Sequence, residues 1–83
     1  MKYYTYILHS QILDRFYTGQ TDDIERRIIE HNRGKTKFMV RGKPWRLVYQ
    51  KAFITRSEAM ALEKVIKKRG AGRFLKDNDI SWC

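Results

Sequence analysis

Tyr3-Tyr4-Thr5-Tyr6-Ile7-Leu8, and after a short interval Arg15-Phe16-Tyr17-Thr18-Gly19, are the two opening segments of this chain. The first is aromatic and β-branched, which predicts a strand. The second reads as a shorter strand closed by Gly19. Gln11-Ile12-Leu13-Asp14 is short enough to join the two as an antiparallel hairpin. An even-numbered connection opposes positions such as Ser10 and Arg15, and then Tyr6 and Tyr17 project from one face. At worst they stand a diagonal step apart, within roughly 5–8 Å. Two phenols side by side are poor core filler, because each buried hydroxyl needs a partner.

Thr21-Asp22-Asp23 then announces a helix, with Asp22 as N-cap and Glu25 completing a capping box. The helix is expected to end near Arg33, with Gly34 as its stop. Ile24 and Ile28 form its core stripe. Arg27 and His31, four apart, stack on a column beside that stripe, and Arg26, Glu30 and Arg33 take the solvated side. The segment 35–44 is a basic connection. Lys35, Lys37, Arg41 and Lys43 are its candidates for tracking phosphates.

Trp45 to Ile54 reads as a third strand, well covered. Thr55 with Glu58 is a second capping box, opening a helix to about Arg69 that Gly70 terminates. Ala59, Leu62 and Ile66 make its inner stripe, and Glu63 borders it. Gly72 to Asp77 suggests one short helix, and 79–83 an extended end. The order strand, strand, helix, strand, helix, short helix implies an α+β fold, a three-stranded, mainly antiparallel sheet flanked by helices.

Eighty-three residues are expected to form one domain, 1–83, with a small core. Eighteen Lys and Arg against nine acids leave a net charge of +9, which points to a polyanionic partner, DNA or alternatively RNA. A membrane surface fits less well, because neither helix pairs a basic face with a bulky apolar one. No run approaches a transmembrane length and no secretion signal precedes the first strand. The lone Cys83 excludes an internal disulfide, which suits a cytoplasmic setting.

Tyr6, Tyr17, Arg27, His31 and Glu63 together carry what phosphodiester hydrolysis requires. A phenol among cations can take a proton from water, a guanidinium matches a phosphate, and one carboxylate with waters suits Mg²⁺. The bland reading of each is packing, a surface arginine, a helix histidine, and a Glu63–Lys67 pair one turn apart.

Tyr4-Thr5-Tyr6 and Tyr17-Thr18-Gly19 resemble the paired signature of the GIY-YIG nuclease superfamily. Arg27 stands eight residues past Gly19, as the family's helix Arg does, and His31 follows one turn later. Ser57-Glu58-Ala59, Leu62-Glu63 and Ile66-Lys67 look like the family's metal-binding helix. His31-Asn32-x-Gly34 and Trp45-x-Leu47-Val48-Tyr49 are similar to its small stand-alone bacterial members, which resemble the N-terminal nuclease domain of the excision-repair endonuclease. The signature's first Gly is Tyr4 here, and its two Ile positions are Thr5 and Thr18. None of these changes removes a catalytic group, and Asn78 is the nearest counterpart of a late Asn in many members. The resemblance implies a DNA endonuclease using one divalent metal, Mg²⁺ or Mn²⁺, held by Glu63, with no small-molecule cofactor. Tyr6 or Tyr17 would be the base, helped by His31, and Arg27 would stabilise the phosphate. The alternative is a non-catalytic nucleic-acid-binding module on the same scaffold.

Overall fold

A computed structural model of the chain describes residues 2–34 and 37–82. The elements in order are β1 (Tyr3–Ser10), β2 (Arg15–Thr21), α1 (Ile24–Arg33), α2 (Lys37–Arg41), β3 (Trp45–Phe53), α3 (Arg56–Arg69) and α4 (Ala71–Asp77). The strands form one antiparallel sheet in the order β2-β1-β3. Ser10 does face Arg15 across the hairpin, so the expected register holds. Among the described residues no helix is long and apolar enough to cross a membrane.

The central strand β1 is covered on both sides, and its side chains divide by parity between two cores. Tyr6 and Leu8 join Trp45 on one face, where Ile24 and Ile28 of α1 and Met39 of α2 pack. Ile7 joins Ile66 of α3 and Leu75 of α4 on the other, with Phe16, Val48 and Trp82 around them. Thr5 lies on this second side and ties it directly, its hydroxyl donating to the Ala59 carbonyl at 2.6 Å. The α3–α4 corner is held by a two-pronged Arg69–Asp77 pair at 2.7 and 3.0 Å.

Several sequence expectations change. The α1 cap is Asp23, one residue later than Asp22, because Thr21 Oγ1 accepts from the Asp23 N–H and fixes that residue in an extended conformation. The Asp23 side chain accepts from Arg26 N, while Asp22 pairs with Arg26 Nη2. Position three of the helix is therefore an arginine, and Glu25 closes no box. The second box, Thr55 with Glu58, forms as expected. Strand β3 lies at a sheet edge and is mostly half-exposed or exposed, since β1 takes the centre. Glu30 is half-buried and faces Arg27 Nη1 at 3.6 Å. Part of the basic connection coils into α2, and Lys35 lies outside the described residues.

Asn32 holds the two halves of the first layer together. It accepts from the Trp45 N–H at 2.6 Å and donates to the Trp45 carbonyl at 3.2 Å, as a neighbouring strand would. The Trp45 indole N–H then donates to the Met39 carbonyl at 2.9 Å. Removing the amide strands two backbone groups at once. Asn32→Ala is expected to lower stability by about 1–3 kcal/mol, read as a lower urea midpoint with an unchanged m-value.

Candidate active site

Tyr6 comes from the middle of β1 and is 1% exposed. It faces Gly19 across the hairpin, while Tyr17 faces Leu8, so the two phenols are diagonal neighbours. Their ring centroids are 6.4 Å apart and nearly parallel. Gly19 had been expected at a strand end, but β2 continues to Thr21 and the residue has no positive φ. Its missing side chain makes room instead. A Cβ there would stand 2.6 Å from the Tyr6 hydroxyl and 2.9 Å from Cζ.

Helix α1 brings the next two groups. His31 is 8% exposed, its ring centroid 4.4 Å from that of Tyr17. Its Nε2 lies 3.3 Å from the Tyr6 hydroxyl and its Nδ1 3.2 Å from Met39 Sδ. A thioether only accepts, so Nδ1 carries the proton, and in the neutral ring Nε2 accepts from the Tyr6 hydroxyl. Gly34 makes this turn possible. It ends α1 at φ 76°, and a Cβ there would collide with Val40 Cγ2.

Arg27, one turn before His31, lies against Tyr6. Burial pushes the Tyr6 phenol up to about 12, with Tyr17 acting the same way; Arg27 pulls it down by charge and hydrogen bonding, and Glu63 adds a smaller upward push. The Arg27 Nε is buried with no hydrogen-bond partner. An unmatched buried donor costs about 1–3 kcal/mol, and an anion placed beside this guanidinium offsets that cost.

Glu63 approaches from α3. Its carboxylate acts on Tyr6 and receives Lys67 Nζ at 2.8 Å. Lys67 in turn lines an open groove of about 430 Å³ with Arg15, Phe16, Tyr17 and Thr18, so this flank of α3 reaches the β2 edge where Tyr17 sits. Tyr6, Tyr17, Arg27 and His31 thus form one cluster, with Glu63 within electrostatic reach. Lys37 and Arg41 are exposed on α2, which touches the cluster through Met39. Lys43 follows that helix, half-buried. Asn78 caps α4, donating its amide to the Phe74 carbonyl at 2.7 Å. Sequence reasoning missed Met39 as the support of His31, since nothing in its spacing signals that contact.

Glu63 also decides whether a metal fits. Among the described residues no three His, Cys, Asp or Glu side chains gather as a ready-made metal cage. One partly exposed carboxylate is nonetheless the donor set Mg²⁺ accepts when water and phosphate oxygens fill the remaining positions.

Comparisons with known proteins bear on the family and the fold. Residues 2–73 match the GIY-YIG catalytic domain. A UPF0213 protein of Staphylococcus saprophyticus is 42% identical over 90% of this chain and 92% of its own length. One from Lacticaseibacillus paracasei is 36% identical over 96% and 93%. The solution NMR structure of a UPF0213 protein from Bacillus halodurans superposes with a TM-score of 0.56, at 38% identity over 92% of this chain and 84% of that one.

Two outcomes follow from the Tyr6 environment. Gly19→Ala should displace the Tyr6 ring and lower stability by about 1–3 kcal/mol, with the largest NMR shift changes at Tyr6 and His31. The raised phenol also makes stability fall at alkaline pH. An unfolded Tyr6 ionises near 10 and the folded one near 12, so the contribution is intact below pH 10 and fades as pH rises to 12. On the order of 2–3 kcal/mol is lost across that window, checked by urea melts beside a phenolate absorbance titration.

Proposed function

The chain belongs to the GIY-YIG family, a family of nucleases, and from that premise we propose that it is a metal-dependent endonuclease hydrolysing DNA phosphodiesters. Residues 1–83 would act as one nuclease unit in a cytoplasmic setting, on branched, nicked or damaged DNA. The observation that carries this reading is the meeting of Arg27, His31 and two phenols from a separate hairpin around one small cluster, with Glu63 acting on it from α3.

The phenols divide by position. Tyr6 is sealed in, keeps its proton at neutral pH and hands it to His31 as a hydrogen bond. Tyr17 is only half-buried and opens on the groove, so it is the phenol that meets the attacking water. In its phenolate form it would orient that water and take its proton as the new P–O bond forms and the bond from phosphorus to the leaving oxygen breaks. His31, its ring 4.4 Å from that of Tyr17, packs against this phenol and orients it while its Nε2 accepts from Tyr6. Arg27 holds the phosphate oxygens on which charge accumulates.

Glu63 would hold one Mg²⁺ or Mn²⁺, and such an ion supplies Lewis-acid stabilisation of the phosphate and the leaving alkoxide. The cations Lys37, Arg41 and Lys43, with Lys35, would grip flanking phosphates, and RNA could be held the same way. One observation favours the second reading, a binding module without catalysis: Glu63 already has an ammonium at 2.8 Å.

The two readings separate in one assay. Nicked, flapped and branched DNA is incubated with Mg²⁺ and wild type, Glu63→Ala or Arg27→Ala. Hydrolysis by wild type, reduced about 10²–10³-fold in each variant, is the expected result. A wild type that cleaves none of these substrates, with Glu63→Ala binding DNA as tightly, would leave only the binding module.

A further inference from the structure

We propose that Lys67 is an exchangeable counter-ion for Glu63: it neutralises the carboxylate in the metal-free protein, and when a metal ion takes Glu63 it turns into the adjoining groove to bind a phosphate of the DNA. The inference rests on the assignment of Glu63 as the metal-holding carboxylate and gives a role to Lys67, to which the family resemblance assigns none.

Three observations carry it. Lys67 Nζ and Glu63 Oε2 are 2.8 Å apart, so a divalent cation arriving at this carboxylate meets a like charge at hydrogen-bond distance, and their repulsion favours departure of the ammonium. The pair sits one helical turn apart with Glu first, the favourable order, yet the Lys side chain is 59% exposed and the Glu side chain 20%. Such pairs are weak, which suits a contact meant to be displaced. Finally, the released ammonium has somewhere to go. Lys67 forms one wall of the groove of about 430 Å³ whose other wall carries Arg15, Tyr17 and Thr18. A flexible four-carbon stem carrying a point charge can cross that space, and Arg15 supplies a second cation on the same side as the reacting phenol. Exchange keeps the total charge near Tyr17 in step with the charge of the bound strand: Lys67 blocks the acid when no metal is present and binds phosphate once it is.

The test measures binding instead of turnover. Calorimetric titration with MnCl₂, without DNA, compares wild type with Lys67→Met, Lys67→Arg and Glu63→Gln. A phosphorothioate flap DNA, held with Mn²⁺ at several salt concentrations, reports the phosphate contact. Lys67→Met should bind Mn²⁺ roughly two- to fivefold more tightly than wild type. It should bind DNA more weakly, with a log–log salt slope shallower by about 0.9, one phosphate. Lys67→Arg should keep both wild-type values. If Glu63→Gln binds Mn²⁺ as well as wild type, Glu63 is not the ligand, and both the metal assignment and the exchange fall. If Glu63→Gln loses Mn²⁺ while Lys67→Met gains nothing, the metal assignment stands and only the exchange is overturned. A gain in Mn²⁺ affinity with an unchanged salt slope removes the phosphate role.

Discussion

A single buried hydroxyl governs the first layer of this protein. Tyr6 fills the centre of the sheet's α1 face, and its oxygen must be satisfied there because water cannot reach it. His31 Nε2 meets it from α1, Met39 fixes the other end of the imidazole, and Gly19 leaves the space the ring occupies. Three elements are therefore positioned by one phenol. The packing that stabilises this face and the arrangement that orients its polar groups are the same set of contacts.

The cluster is built across the sheet rather than on one element. Tyr6 and Tyr17 are rigid because they belong to paired strands, and Arg27 and His31 are rigid because one face of α1 is pinned by Ile24 and Ile28. Asn32 closes this unit by pairing with Trp45 as though it were an extra strand. Glu63 comes from α3, in the opposite layer, and acts on Tyr6 through its charge. An open groove lined by Tyr17 of β2 and Lys67 of α3 lies beside this edge strand.

Charge and burial act against each other at the centre. Burial and the nearby phenol hold the Tyr6 proton in place, while Arg27 favours its loss. The unpaired Arg27 Nε is a donor waiting for an anion in a protein whose net charge is +9.

The sequence alone determined the strand and helix order, the hairpin register, the pairing of the two phenols on one face, and the Arg27–His31 column. These follow from alternation and helical spacing, which are local properties of a chain. It misjudged the α1 cap by one residue, because a side-chain bond from Thr21 selected Asp23, and it placed β3 under cover when the sheet order put it at an edge. Gly19 was legible as necessary but not for the right reason, since its neighbour Tyr6 is thirteen residues away in the chain. Only the folded structure could decide that Met39 supports His31, that the charge of Glu63 acts on Tyr6, and that Lys67 both pairs with that acid and lines the groove beside Tyr17. Each is a contact between elements whose separation in sequence carries no distance, so tertiary packing alone fixes it.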